Sequence, residues 1–212
     1  MDGFLDLIRD ITIYFSMFYP ILYLKNFMGN NKAFKLFTVY LVIIGIIQFS
    51  LVLIVKTQLG SNIFLSHFYF ILQFVLLSFF YAELLKYKWI YGIIVLVLIS
   101  VIYQFTVDPE LFFRYNAIGF VVTQLIIVTY SLLYFYKSLS EKNEFIIINI
   151  GVFIYLLSSS IIFALGNLVF DINIPESISA KLGDINIVLY FVFQILIFIE
   201  WWKNFSKPRI KL

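Results

Sequence analysis

The chain has 212 residues, 63% of them hydrophobic and 13% charged, with a net charge of +3. Soluble domains carry about 25% charged residues. With a mean hydropathy of +1.00, this chain cannot cover a water-facing surface, and its solvent is lipid. Its basic residues come one or two at a time between apolar runs, which excludes a nucleic-acid-binding face. The lack of cysteine excludes disulfides, thiolate catalysis and thiolate-ligated metals.

Taken in order, the chain opens on Asp2, Asp6 and Asp10 where a cleavable signal peptide would be basic, so none is expected. Apolar runs separated by charge then predict an all-α integral membrane protein, a single domain of seven transmembrane helices. The spans fall at about 10–27, 34–55, 63–85, 89–105, 117–136, 145–170 and 185–202. The first is the weakest: its clean apolar run covers 11–24 and contains Pro20, so Phe4–Ile8 must complete it at the interface. Linkers are short. The longest, 171–184, contains Pro175 and reads as a surface loop or a short interfacial helix.

Lysine and arginine set the orientation. Alternate loops place eleven on one side (Lys25, Lys32, Lys35, Lys86, Lys88, Lys137, Lys142, Lys203, Lys207, Arg209, Lys211) and four on the other (Arg9, Lys56, Arg114, Lys181). Over loops this short the basic side is cytoplasmic, which puts the N-terminus outside and the C-terminus inside. Acidic residues lean the opposite way, and Trp89, Trp201 and Trp202 fall near span ends, where an interfacial aromatic belt belongs.

Polar side chains within a span are functional hypotheses, because hydrocarbon offers them no partner. Gln48 lies in the outer third of span two, His67 one turn inside span three and Gln73 near its middle. Gln104 ends span four, Gln124 sits in the outer half of span five, and Asn167 lies near the outer end of span six. Asn186, Tyr190 and Gln194 follow one another at i, i+4, i+8 and form one stripe on span seven. The inner half holds fewer such groups, chiefly Asn149 with Glu83 and Glu200 at the edge. This asymmetry points to a cavity open to the outside and lined by Gln48, His67, Gln73, Gln124, Asn186, Tyr190 and Gln194. The competing reading is interhelical hydrogen bonding that only packs the bundle.

Other chemistries find little support. His67 is the only histidine, so with no cysteine it builds no metal site in this chain, although its near-neutral pKa suits a proton relay. Span six carries Gly151, Ser158, Ser159, Ser160, Ala164 and Gly166, small residues that let helices approach closely, and it reads as a tightly packed helix. No Gly-x-Ser-x-Gly elbow surrounds its serines, and neither a phosphate loop, a His-Glu-x-x-His motif nor a buried lysine on span seven is present. Neither enzymatic activity nor a cofactor is expected. Tyr-x-x-x-Gln occurs at similar depth in spans three and seven (Tyr69/Gln73, Tyr190/Gln194); two three-helix halves joined by span four would produce this, but chance among 15 tyrosines explains it better.

Three segments carry a family resemblance: Asn62-x4-His67-x5-Gln73, Asn149-x-Gly151-x3-Tyr155-x2-Ser158, and Asn186 on span seven, with Pro20 followed by the basic loop 25–35. In these the chain resembles small bacterial seven-helix membrane proteins, which are similar to the membrane sensor region of histidine kinases or are encoded beside them. Where that pattern often has glutamate, Gln48 and Gln73 stand here without charge. The resemblance implies a multi-pass protein of the bacterial inner membrane whose partner is another membrane or cytoplasmic protein, such as a histidine kinase. The expected function is a sensor binding a small apolar or amphipathic ligand in an outward-facing cavity. An accessory subunit of a larger membrane complex, or a small-solute transporter, are the alternatives.

The cysteine-free background makes the orientation directly testable. A cysteine at Ser177 is expected to react with an impermeant reagent in intact cells, and one at Ser138 only after lysis. The reverse pattern would invert the topology.

Overall fold

In hydrocarbon a backbone N–H or C=O has no water to bond, so a long apolar run folds as a helix that satisfies its own backbone. A computed structural model, which describes residues 2–57, 62–140, 144–169 and 176–206, has this character throughout. The helices are α1 (Asp2–Lys25), α2 (Lys32–Thr57), α3 (Ile63–Leu85), α4 (Trp89–Val107), α5 (Ala117–Ser138), α6 (Ile146–Val169) and α7 (Glu176–Glu200). There is no strand among the described residues. A 3-10 turn, Pro109–Phe113, links α4 to α5, and α7 runs on into a π-helical turn, Trp201–Phe205. All seven helices are long and apolar enough to cross a membrane.

Five of the helices match the spans read from hydropathy to within about two residues. The first and last start earlier, at Asp2 and Glu176. Hydropathy marks the part of a helix that suits lipid, whereas the helix continues through polar turns that water can solvate. Of the linker read as a surface loop or a short interfacial helix, residues 176–184 are helical and form the first turns of α7. The loop residues 171–175 lie outside the described residues, as do the side chains of Gly166, Asn167, Glu176 and Ser177. So do the charges at Asp2, Asp6, Lys142, Lys207, Arg209 and Lys211.

Six helices close into a ring through the pairs α1·α2, α2·α3, α3·α5, α5·α6, α6·α7 and α7·α1, while α4 packs outside it against α3. We call the end holding Arg9, Asn62 and Arg114 the upper end, and that holding Lys25, Leu85 and Phe205 the lower end. A ring of six helices leaves space along its axis, and aromatic side chains fill the lower half of it. Tyr23, Phe34, Phe37, Phe80, Phe145 and Phe205 are all 0–1% exposed. They touch ring to ring, with centroids 4.7 Å apart for Phe34–Phe205, 5.1 Å for Phe145–Phe205 and 5.2 Å for Phe37–Phe80. Phe145 holds a left-handed backbone (φ 68°), uncommon for a bulky residue, and its packing against Phe80 and Phe205 imposes it.

Polar bonds lock the same end. The fully buried Glu200 accepts from the backbone N–H of Ile147 (3.0 Å) and Ile148 (3.3 Å), which caps the first turn of α6 from a different helix. Asn204 donates to the second oxygen of the same carboxyl group. α1 joins through Tyr23 Oη to Ile197 O (3.0 Å), Trp201 Nε1 to Leu22 O (3.1 Å) and Asn26 Nδ2 to Phe205 O. Between α3, α5 and α6, Tyr81 donates to Asn149 Oδ1 (2.7 Å), and Asn149 donates to Ser131 O (3.2 Å).

Two glycines mark where helices come closest. Pro20 has no N–H for the carbonyl of Ser16 one turn before it, and Gly45 of α2 presses against that carbonyl: a Cβ there would stand 3.1 Å from Ser16 O. At Gly151 of α6 a Cβ would lie 2.7 Å from Phe193 of α7, so the close packing expected of span six falls at this crossing.

Replacing Glu200 by alanine strips two buried N–H groups of their acceptor. The expected cost is about 3 kcal/mol, read as a lower thermal midpoint of the purified protein. Glu200→Gln keeps one acceptor oxygen and should lose less, so equal losses would argue against the capping role.

Candidate functional site

Above the aromatic plug the axial space is not filled. Side chains there are short on α1 (Thr12, Ser16) and on α3 (Asn62, Ser66), and a cavity of about 960 Å³ opens between α1, α2, α3, α5, α6, α7 and the 3-10 turn. Its floor is built by tyrosines. Tyr19 and Tyr190 share a hydrogen bond of 3.4 Å, and Tyr69 and Tyr155 share one of 3.5 Å. The Tyr155 and Tyr190 rings lie 5.3 Å apart. Gln73, beneath Tyr69, donates to its hydroxyl (3.3 Å) and to that of Tyr40 (3.5 Å). Five tyrosines from α1, α2, α3, α6 and α7 thus meet around one amide, each hydroxyl answered by a partner from the same set.

The walls are aromatic and the mouth polar. Phe120 packs between Tyr115 (5.4 Å) and Phe163 (4.8 Å) on one wall, and Leu51, Ile13 and Ile187 complete the others. Burial raises the pKa of Tyr115, which lies between the 3-10 turn and α5, so its hydroxyl stays protonated at neutral pH. Around the mouth stand Arg9, Gln48, Asn62, Arg114 and Asn186. Arg114 pairs with Asp108 (2.9 Å) and Glu110 (3.7 Å), and Arg9 with Asp184 (3.4 Å).

Of the seven residues expected to line one cavity, the structure brings three to it: Gln48, Asn186 and Tyr190. The other four are buried but turned elsewhere. His67 faces α4 and the 3-10 turn, where it bonds Phe112 O (3.1 Å) and packs among Phe70, Phe105 and Phe112. A carbonyl only accepts, so Nε2 carries the proton and the imidazole is an anchor for the turn. Gln73 lies below the floor, in the tyrosine set. Gln194 donates to Thr12 O (3.1 Å) and ties α7 to α1. Both amide atoms of Gln124 are buried without a partner among the described residues. Gln104 accepts from Asn116 (2.9 Å), the residue that caps α5.

Sequence reading missed Thr12, Ser16, Tyr19, Tyr40, Arg9 and Arg114 as parts of the site. Serine and threonine within a span bond their own helix, as Thr12 does to Ile8 O (2.7 Å), and so give no polar signal. The tyrosines were indistinguishable from belt residues among the chain's 15.

The chemistry of the described lining residues is that of hydroxyls, amides, aromatic rings and two guanidinium groups. Among the described residues no acid–base pair lines the cavity, and no group of three His, Cys, Asp or Glu could hold a metal ion. The chain matches no family model, no curated protein and no solved structure.

Gln73 and Gln124 should respond oppositely to loss of their amides. Gln73→Leu removes bonds to two tyrosine hydroxyls and is expected to cost about 0.6–2 kcal/mol, leaving the cavity open. Gln124→Leu replaces an amide without a partner among the described residues by an apolar group of similar size and should be neutral or stabilising by about 1 kcal/mol. Thermal unfolding of the two variants in one detergent decides the matter, and a loss at Gln124 as large as at Gln73 would contradict this assignment.

Proposed function

We propose that the protein is a seven-helix membrane receptor that takes a small amphipathic molecule into the upper cavity and passes the resulting change in helix packing to another protein. The observation that carries this reading is the shape of the ring: open and polar-mouthed above, closed below by an aromatic plug. A cavity of about 960 Å³ with aromatic walls and a few convergent polar groups has the usual size and composition of a small-molecule site.

The charge distribution supports an upper end that faces outward in a bacterial inner membrane, since eleven of the fifteen basic residues fall in the lower loops. The plug favours a receptor over a transporter, which needs a path to the second side. Ligand occupancy can bias the ring only by favouring one packing over another. α1 and α7 are the natural carriers, because each contributes to the cavity and to the bonds at the lower end. The recipient of the signal is a membrane or cytoplasmic partner, of which the histidine kinase implied by the resemblance is the leading example.

Ser66, on the cavity wall, provides the test of access. A cysteine there should label with an impermeant maleimide from the outside of intact cells, and Ile187→Trp, which narrows the cavity, should slow that labelling. Labelling only after lysis would mean that the cavity faces the cytoplasm and would remove the receptor reading in this form.

A further inference from the structure

Cavity, mouth and walls differ in what they could recognise, and this difference narrows the ligand class. We infer that the cavity selects a compact ring-bearing organic anion, an aryl carboxylate in the simplest case, seated with its ring inside and its anionic head at Arg9 and Arg114. The inference rests on the receptor reading above and adds to it the charge and shape of the ligand.

Charge comes first. Both arginines line the cavity, whereas Asp184, Asp108 and Glu110, the carboxylates paired with them, do not. Among the described lining residues the charged ones are Arg9 and Arg114, each already held by the carboxylates paired with it. Arg114 gives its Nη2 to Asp108 and Glu110; a guanidinium has five donors in a planar fork suited to a second carboxylate. Side-chain exposures of 48% and 59% place these groups where an anionic head keeps contact with water.

Shape comes second. From Arg9 to Ser16 on α1, and from Asn62 to Tyr69 on α3, the cavity is seven residues deep, roughly 10 Å at the helical rise. A volume of about 960 Å³ over that depth gives a mean cross-section on the order of 100 Å². The space is short and broad, which suits fused or substituted rings better than a single narrow acyl chain. Tyr69, Phe120, Tyr155, Phe163 and Tyr190 supply aromatic walls for offset or edge stacking.

Three probes separate these features: 2-naphthoate (ring and anion), 2-naphthalenemethanol (ring, uncharged) and octanoate (anion, chain). Binding is measured by equilibrium dialysis on the purified full chain in zwitterionic detergent micelles, with empty micelles subtracted. 2-Naphthoate is expected to bind at least tenfold more tightly than either of the others. Arg9→Gln with Arg114→Gln should reduce it to the level of the alcohol. Asp108→Asn breaks the same ion pair yet keeps the guanidinium, and it should retain naphthoate binding, which separates a head contact from a folding defect. If the alcohol binds as well as the carboxylate and the arginines do not matter, the anion inference is overturned while the receptor cavity stands. If octanoate equals naphthoate, the ring selectivity is overturned. If no probe binds, the cavity is not a ligand site and both readings fall together.

Discussion

A ring of helices must fill its own axis, and how this one does so determines everything else about it. Lipid is as apolar as leucine, so helices in a bilayer gain little from burying apolar surface against one another. They associate through close packing and the polar bonds that packing permits. Here the lower axis is occupied by six aromatic rings, from α1, α2, α3, the residue before α6 and the π-helical turn, with Phe205 touching both Phe34 and Phe145. Large flat side chains fill a wide axis without bringing the helices closer together. Above them lies the tyrosine layer, and at the level of Ser16 and Tyr69 the axis becomes a cavity. The cavity is thus the complement of the plug, produced by short side chains on α1 and α3 where long ones would have closed it.

Polar groups follow from the same geometry. A tyrosine ring that fills axial space carries a hydroxyl that must be answered in a medium without water. The solution is mutual: Tyr19 with Tyr190, Tyr69 with Tyr155, and Gln73 serving Tyr69 and Tyr40. The backbone has an equivalent need at helix ends. α6 begins inside the protein, and the buried Glu200 satisfies its first N–H groups. Lys137 does the reverse at the end of α3, donating to Leu84 O at 3.0 Å.

The helices were legible in the sequence because lipid imposes one length scale and one composition on every span. The ring was not. Whether a polar residue faces the axis, a neighbour or the outside depends on which helices flank it, and hydropathy carries no such information. His67 shows this well. With α4 outside the ring, the side of α3 that carries His67 looks toward Phe105 of α4 and Phe112 of the 3-10 turn, not toward the axis. The stripe on α7 was read correctly as one face, yet its members end in different surroundings. Asn186 and Tyr190 line the cavity, whereas Gln194 meets Thr12 of α1. The Tyr-x-x-x-Gln pairs diverge in the same way, since Gln73 bonds its own Tyr69 whereas Gln194 bonds α1. Similar sequence there does not amount to similar structure, even though α1–α3 and α5–α7 form the two arcs of the ring.

α7 connects the two halves of the molecule. Its upper turns give Asn186, Ile187 and Tyr190 to the cavity, its middle bonds α1 through Gln194, and its lower end carries the carboxyl group that starts α6. It then leaves regular α-helical geometry, as a π-helical turn from Trp201 to Phe205. A π turn accommodates one extra residue in a helix and is common at functional positions, because it can shift register at little cost. The turn sits against α1 through Trp201 and Asn26, and against the plug through Phe205. A molecule that wedges Tyr190 away from Tyr19 would tilt α7 against α1, and the stiff, well-bonded lower end cannot absorb that tilt by loosening. The π turn belongs to that bonded end through Trp201, Asn204 and Phe205, so in the receptor proposed above a tilt of α7 would pass through it to the opposite surface.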